Sequence, residues 1–450
     1  MQIPVVNKKY DSSFGNGFYN ITRELESSIP LSRALVDLCG ASVPWVIMAN
    51  NSTERKEKIR RYSFDYTIAY LSPFVTLPLS NRFAMKYIAK LNKNFWSNNH
   101  KAIHISNAFL KDADSMMSEL YKMGKNMKKN PIESLYYKLN PNKQYNPKLD
   151  VEELLKSAGG DKEKLRQKLI RSKNAVFISD CLFTVGTVGS FLFINNEITK
   201  KKTGQSGFSA EMRMADKSIV EKRADSHEKN KKRKYLTFAA LLTGATLGMS
   251  LAGFATLYSK SSNKIIKSLR DCSKYFDYTK GIYMSRLPFF LNTMVFVAAT
   301  LLAARNSTER KDLAIRSGVG NTVFFGGDLV LGSLFTNLSD RIFGTKLRKD
   351  DGSNNSFINK IFPKVKHVEQ VIEEVEQGKI SSVNKKVSVG IFWANILILM
   401  GSIGYLIPKV INKMIRKDVD KDVQAQKSIS GLANFAYSKP LRMEDFIRNK

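Results

Sequence analysis

Long apolar stretches alternate with stretches rich in lysine, asparagine and serine along this chain. Because a helix needs about 20 apolar residues to cross the hydrocarbon core of a bilayer, this pattern predicts an all-α, multi-pass helical membrane protein. The first two apolar segments are the weakest, and a helical hairpin buried in the membrane interface is the alternative for that pair. The apolar segments, about seven in all, are Ala34–Ala49, Tyr66–Ser80, Ala175–Asn195, Tyr235–Tyr258, Leu287–Ala304, Gly318–Leu338 and Val387–Pro408.

The hexapeptide NSTERK occurs twice, at Asn51–Lys56 and at Asn306–Lys311, each time directly after an apolar segment. Both copies continue with a second apolar segment, a polar insert with apolar residues at helical spacing, and a third apolar segment. Asp37 falls opposite Asn292 in this register, and equivalent segments start four segments apart. The pattern predicts an internal duplication whose two copies have the same orientation. The predicted divisions are a polar N-terminal segment 1–33, a first repeat 34–197 with a helical insert 81–174, basic connectors 198–234 and 259–286 on either side of a linking span 235–258, a second repeat 287–408 with a helical insert 340–385, and a basic C-terminal tail 409–450.

Each hexapeptide has an asparagine three residues before a glutamate, which is the spacing of a capping box at the start of a helix. Asn51 with Glu54, and Asn306 with Glu309, are therefore predicted to cap a helix where the chain leaves the bilayer. Asn-Ser-Thr is also a formal glycosylation acceptor, but that interpretation requires a turn outside the cytoplasm. The basic residues predicted to meet anionic headgroups at the membrane surface are Arg55, Lys56, Arg60, Arg61, Arg310 and Lys311.

The formal net charge of +32 supports the membrane interpretation. A mean hydropathy of −0.26 is that of a soluble protein. However, lysine and arginine cluster beside the apolar segments, as in Lys200–Lys202 and Lys231–Lys234. A nucleic-acid-binding protein is disfavoured because these runs lack interleaved aromatic residues. By the positive-inside rule, the repeat turns and the C-terminal tail are predicted to be cytoplasmic, although the opposite connector, residues 260–280, is also basic.

Acidic residues inside apolar segments are costly in a bilayer and mark candidate polar sites. Asp328 lies deepest, in the sequence FFGGDLVLG, whereas Asp180 and Asp37 lie nearer to the ends of their segments. Each is a candidate for binding a substrate, an ion or a proton. The alternative for each is a structural partner on a neighbouring helix.

Small residues recur every four positions in the linking span, at Gly244, Gly248 and Ala252. Such spacing allows membrane helices to approach closely. The residues are therefore predicted to pack helices together, within the chain in preference to dimerisation.

Catalytic and metal-binding patterns are missing from the sequence. The three cysteines lie far apart without a CxxC pair, and His100 and His104 lack the glutamate of a zinc-protease motif. No phosphate-binding loop, dinucleotide fingerprint or nucleophile elbow occurs, so no catalytic residue, metal or cofactor is predicted and an enzyme is not favoured. The sequence favours a membrane scaffold or interaction protein whose basic loops and amphipathic helices meet anionic lipid or a helical protein partner. The alternative is a transporter or channel, for an unknown small-molecule substrate, with Asp328 at an intramembrane polar site.

Overall fold

The computed structural model of the chain is helical almost throughout its described residues. One strand pair occurs in that part, where β1 (Tyr278–Thr279) pairs antiparallel with β2 (Tyr283–Met284). The residues described by the structure are 14–27, 29–125, 149–212, 217–258, 263–273, 278–279, 283–284, 286–349 and 365–430.

The α-helices in chain order are α1 (Phe14–Ser27), α2 (Ile29–Leu35), α3 (Val43–Ile47), α4 (Ser52–Phe83), α5 (Ala113–Lys125), α6 (Val151–Ser157), α7 (Lys162–Thr203), α8 (Lys217–Ser250), α9 (Thr256–Tyr258), α10 (Lys264–Cys272), α11 (Arg286–Ala303), α12 (Ser307–Leu313), α13 (Gly320–Phe343), α14 (Val368–Glu376), α15 (Ser382–Gly401) and α16 (Ile407–Ser430). Several of them are continued by π-helical turns, at Val36–Ser42, Ala84–Ile88, Leu251–Ala255, Ala314–Val319 and Ser402–Leu406.

Four helical stretches of the described chain are long and apolar enough to cross a membrane: Lys162–Thr203, Lys229–Tyr258, Ser307–Phe343 and Ser382–Lys421. A shorter apolar helix covers Leu287–Ala303. The predictions of an all-α fold and of membrane-length helices are confirmed in this form. The two weak N-terminal segments are also helical, in α2–α3 and in α4.

The second of these weak segments is not broken by its prolines, because α4 runs without interruption from Ser52 to Phe83. It packs beside α7. The rings of Phe64 and Phe191 stack with their centroids 3.8 Å apart, and Arg60 donates to Asn195 Oδ1 at 3.0 Å and to Thr199 Oγ1 at 2.7 Å.

The first insert folds into a core of its own around the start of α7. Its amphipathic helix, α5, buries Met116 and Leu120 completely, against residues such as Leu154 and Leu169. Arg166 fastens this core to the end of the linking span by donating to the carbonyl oxygens of Leu110 at 2.8 Å and Leu257 at 2.9 Å. The apolar stripe of the insert is therefore covered within the same chain.

The predicted C-terminal tail begins with a helix. Residues 409–430, predicted to be part of a basic tail, continue the last apolar segment as α16. Ile411, Ile415 and Val419 are buried on one face of this helix. The spacing of these apolar residues explains their burial. They are four residues apart, so they form a stripe on one side of the helix that packs against a partner surface.

Two glycines allow the first and last apolar segments to cross at close range. A Cβ atom at Gly404 would lie 1.7 Å from the carbonyl oxygen of Gly40, and one at Gly40 would meet the side chain and backbone of Met400. Trp45 Nε1 donates to the carbonyl oxygen of Ile403 at 3.0 Å beside this crossing. The first and last apolar segments therefore touch each other directly.

The small-residue stripe of the linking span does not pack as predicted. Gly244 and Gly248 are exposed, and no atom lies within 4 Å of a Cβ built at either. Ala252 packs partly against the core of the first insert. The face of α8 that contacts α7 instead carries Phe238 and Leu242, because large apolar side chains fill the space between these helices.

Candidate polar site between the membrane-length helices

The two copies of NSTERK form turns with the same cap, and we call residues 50–58 the first elbow and residues 305–313 the second elbow. Asn51 Oδ1 accepts a hydrogen bond from the Glu54 N–H at 2.9 Å, and Asn306 Oδ1 accepts one from the Glu309 N–H at 2.8 Å. Each glutamate reaches back to the N–H of the residue before the asparagine, at 2.6 Å in both elbows. The chain therefore starts α4 and α12 with equivalent caps, which differ from a standard capping box only in that the glutamate accepts from the N–H one residue before the cap.

Both elbows hold the loop between α7 and α8, residues 204–212, which we call the connector loop. Asn51 Nδ2 donates to the carbonyl oxygens of Ser209 and Met212, each at 2.8 Å. Asn306 Nδ2 donates to Glu211 Oε2 at 2.9 Å. The two elbows thus lie at the same end of the helix bundle.

Buried charges tie the second elbow to the first. Arg305 is 2 % exposed and makes two hydrogen bonds to the carboxylate of Glu57, at 2.8 and 3.2 Å, while also pairing with Glu309 at 2.6 Å. Burial alone would lower the pKa of the Arg305 guanidinium, but the charges of Glu309 and Glu57 outweigh it and hold that pKa above its ordinary value. Arg305 therefore stays charged, and both carboxylates have a partner.

Glu211 is the buried acid of the connector loop. It pairs with Arg223 of α8 at 2.8 Å and accepts the hydrogen bond from Asn306. Burial raises the pKa of Glu211 to about 7, against the opposing charge of Arg223 and the hydrogen bond from Asn306. This carboxyl group consequently titrates close to neutral pH.

Farther into the bundle lies a cavity of about 230 Å³, which we call the polar cavity. Its wall is formed by the helical stretch from α2 to α3, by α4, α7 and α11, and by the turn that leads into α13. The charged side chains that line it are Arg33, Asp37, Arg61, Asp65, Asp180 and Arg316.

Each arginine of the polar cavity lies near an acid and an aromatic ring. Arg33 pairs with Asp37 at 2.7 Å, one turn along the same helical stretch, and stands over the ring of Phe324. Arg316 pairs with Asp312 at 2.7 Å and lies 4.6 Å from the ring centre of Trp45. Such contacts lower the cost of holding a guanidinium away from water.

The third arginine has a looser partner. Arg61 Nε lies 3.6 Å from Asp65 Oδ2, which is beyond hydrogen-bond length. Tyr62, the next residue on α4, interacts electrostatically with Arg61, Asp65 and Arg316. These three charged groups therefore lie in one part of the polar cavity.

The side of the polar cavity formed by α7 and α11 carries one charged side chain, Asp180, and several uncharged polar groups. Asp180 Oδ1 accepts from Thr184 Oγ1 at 3.3 Å, and Asn292 Nδ2 contacts Cys181 Sγ at 3.3 Å. Val185 and Phe296 supply apolar surface beside them. The cavity can accordingly hold a molecule that has both polar and apolar parts.

The predicted intramembrane acids have different locations. Asp37 and Asp180 line the polar cavity together, although nothing in the spacing of the sequence predicts that they meet. Asp328 belongs to α13, and its side chain lies outside the described residues. Beside it, a Cβ at Gly327 would lie 3.0 Å from Leu399, so α13 approaches α15 closely there.

Two residues predicted at the membrane surface are instead inside the bundle. Arg60 is hydrogen-bonded to α7 and Arg61 lines the polar cavity, because α4 turns this face toward α7. Arg55 is half-buried. Lys56, Arg310 and Lys311 are exposed, and Lys311 contacts Asp418 of α16 at 2.8 Å.

Sequence reasoning missed Arg33, Asp65 and Arg316 as lining residues of the cavity. A signal was available, because Arg33–Asp37 and Arg61–Asp65 are opposite charges four residues apart on predicted helices. In the described part of the chain, no group of three or more histidine, cysteine, aspartate and glutamate side chains is placed to hold a metal ion.

No protein-family model, curated protein or solved structure matches this chain. Its class therefore follows from its own features. Its described residues form a helical protein with four helices long and apolar enough to cross a membrane, and a cavity with charged walls lies among its helices.

Proposed function

We propose that this protein is an integral, multi-pass membrane protein that binds a small polar solute in the polar cavity and moves it across the bilayer. The observation that carries this proposal is the set of six charged side chains around one cavity, on helices that include two of membrane length. Charged residues at membrane depth are costly and, as a rule, face a solute or ion pathway or an internal partner. The proposed solute is small and polar.

The depth of the cavity supports a role inside the bilayer. Thr199, beside the elbow end, and Asp180 are separated by about 28 Å along α7, at about 1.5 Å per residue. Val188, also on the wall, lies about 16 Å from Thr199 by the same measure. With the elbow end at the membrane surface, the cavity extends toward the far side of a hydrocarbon core about 30 Å thick.

The proposed duplication places this cavity between the two copies. Asp37 and Asn292 stand at equivalent distances before the two capping asparagines, and Arg61 and Arg316 stand ten residues after them. All four residues line the polar cavity. Transporters built from repeats bind their substrates at the interface between repeats, so this arrangement favours transport.

We further propose that about seven apolar segments are embedded in the membrane and that both copies have the same orientation, with the elbows and C-terminal region facing the cytoplasm. The contacts of both elbows with one connector loop support a shared side. The basic side chains exposed there, such as Lys56 and Arg310, support the cytoplasmic assignment by the positive-inside rule.

A scaffold at an anionic membrane surface is the second candidate, and one helix favours it. In α10, with the sequence KIIKSLRDC, Ile265 is 71 % exposed beside the exposed Lys264 and Lys267. A short helix with apolar and basic faces can lie in the headgroup layer or bind a partner helix. This candidate predicts binding to anionic lipid without any solute flux.

The experiment that tests the proposal is uptake into vesicles reconstituted with the purified full-length chain. A radiolabelled mixture of amino acids, amines, carboxylic acids and sugars serves as the probe. Uptake above that of protein-free vesicles is expected, and Arg316→Gln is expected to abolish it, whereas the exposed control Lys311→Gln keeps it. Absence of uptake of every probe, together with stabilisation by phosphatidylglycerol that Lys264→Gln/Lys267→Gln removes, would instead establish the scaffold.

A further inference from the structure

The walls of the polar cavity carry equal numbers of both signs of charge, three arginines and three aspartates. One of the pairs, Arg33 with Asp37, is closed at 2.7 Å. Arg61 and Asp65 form a looser ion pair, which we call the open pair, since 3.6 Å separates Arg61 Nε from Asp65 Oδ2. The open pair is where a bound molecule can meet both signs of charge.

Part of the remaining hydrogen-bonding capacity of the cavity belongs to this pair and to two other lining residues, Arg316 and Asn321. Arg61 Nε, Asp65 Oδ1, Arg316 Nη1 and Asn321 Oδ1 are buried and have no hydrogen-bond partner among the described residues. The amide of Asn321 is oriented, because its Nδ2 donates to the carbonyl oxygen of Ser317 at 2.5 Å. Buried polar atoms are rarely left unpaired, so these two donors and two acceptors are available to pair with a ligand.

We propose that the solute bound in the polar cavity is a neutral α-amino acid, held with its ammonium group at Asp65 and its carboxylate at Arg61 and Arg316. This inference rests on the proposed function. An ammonium group supplies three donors and a carboxylate supplies two acceptor oxygens, which matches the capacity of the site. A simple cation would leave both guanidinium donors unpaired, and a simple anion would leave Asp65 facing a like charge.

The rest of the cavity suits an uncharged side chain. Val185 and Val188 of α7 and Phe289 and Phe296 of α11 line the wall. Arg33 and Asp37 pair with each other, so their charges compensate within the chain, and an uncharged side chain of the solute leaves this pair intact. Apolar or aromatic side chains of the amino acid gain most from such a surface.

Trp45 provides a direct probe, because it lines the cavity and contacts Arg316. In the full-length variant Trp96→Phe/Trp393→Phe, purified in detergent, Trp45 is the sole tryptophan. The probes are alanine, leucine and phenylalanine, the amines left when their carboxylates are removed, and the acids left when their amino groups are removed. The amino acids are expected to change Trp45 emission with an affinity on the order of tenfold or more tighter than that of either analogue, because each analogue leaves a charged partner unpaired.

Two substitutions, each by an uncharged side chain of similar size, test which residue binds each charged group of the ligand. Asp65→Asn is expected to weaken amino acid binding and to spare the acids, whereas Arg61→Gln is expected to weaken it and to spare the amines. Lys56→Gln, exposed on the first elbow, serves as the control and leaves binding unchanged. If either variant fails to fold, the comparison of amino acids, amines and acids in the protein that keeps Arg61 and Asp65 remains decisive.

The outcomes separate this inference from the proposed function. If amines or acids bind Trp45-only protein as tightly as amino acids do, the amino acid assignment is wrong, while vesicle uptake can still establish transport. If no probe changes the emission, the assignment is also wrong. Binding of amino acids without uptake would support the assignment and overturn transport.

Discussion

The two elbows contain the same hexapeptide and form the same cap, yet they use it against different partners. In the first elbow, the amide of Asn51 donates to backbone carbonyl oxygens, those of Ser209 and Met212 at 2.8 Å and that of Ala210 at 3.4 Å. In the second elbow, the amide of Asn306 donates to the carboxylate of Glu211. The six residues of the hexapeptide are enough to form the cap, whereas the group that the capping asparagine contacts depends on the rest of the fold.

The two capping glutamates also differ in how their charge is balanced. Glu54 pairs with Lys58, one turn later in the same helix, at 2.5 Å. Glu309 pairs with Arg305, which stands before the cap and also binds Glu57 of the first elbow. Asn50, the equivalent of Arg305, has no charge with which to return this contact. The ion pair between the elbows is therefore made by Arg305 of the second elbow, while Lys58 of the first elbow interacts electrostatically with Asp312 of the second.

Arg305→Met is expected to cause the largest loss of stability in this comparison. Removing the guanidinium leaves Glu57 and Glu309 without their shared partner, and breaking a buried ion pair on one side costs about 3–5 kcal/mol. Thermal unfolding in detergent, followed by circular dichroism, measures the loss.

The matched control is Asn50→Ala in the first elbow. It removes side-chain hydrogen bonds to Glu54 at 3.1 Å and Asn412 at 3.3 Å and keeps the backbone bond of the cap. A cost of about 1 kcal/mol is expected. If the two substitutions cost the same, the elbows are energetically equivalent and the asymmetry described here is wrong.

The caps could be predicted from the sequence because a capping box is made by residues three apart. Nothing beyond the hexapeptide is needed to place Asn51 against Glu54. The contact from Arg305 to Glu57 joins residues 248 positions apart, and no local pattern encodes such a distance. The connector loop was likewise predicted only as a basic linker, and its role between the elbows depends on tertiary packing.

The polar cavity was predictable in part. Asp37 and Asp180 were identified because acids are rare in apolar segments, and the repeat register paired Asp37 with Asn292. The meeting of these residues depends on the rotation of four helices about their axes, which hydropathy does not specify. Arg60 and Arg61 show the same limit, since a basic residue near a segment end can face the headgroups or a neighbouring helix.

Glu211→Gln is expected to change the stability of the fold less than Arg305→Met does, and the size of the change depends on pH. The folded state raises the pKa of this carboxyl from 4.5 to about 7, so the folded protein retains a proton that the unfolded chain has lost. The contribution of Glu211 to stability is therefore complete below pH 4.5, falls as pH rises to about 7, and changes no further above it. The melting temperature is expected to fall between pH 5 and pH 8, and less so in the variant.

Asp112→Asn is the control for this measurement. The backbone N–H of Ser115 holds the pKa of Asp112 below its usual range, so its titration lies under the window tested. For Asp112→Asn, the slope of melting temperature against pH is expected to equal that of the unaltered protein. If the slope for Glu211→Gln also equals it, the second elbow has no titrating partner.

The smallest effect is expected at the exposed lysines that end the two hexapeptides. Lys311 contacts Asp418 at 2.8 Å with its side chain 55 % exposed, and exposed ion pairs contribute about 0–1 kcal/mol. Lys56 is exposed and makes no ion pair within the described residues. Lys311→Ala is therefore expected to lower stability slightly at low salt and not at 1 M salt, where charges are screened within about 3 Å. An equal, salt-dependent loss in Lys56→Ala would show that Lys56 also makes an ion pair, and the expected difference between the two lysines would be wrong.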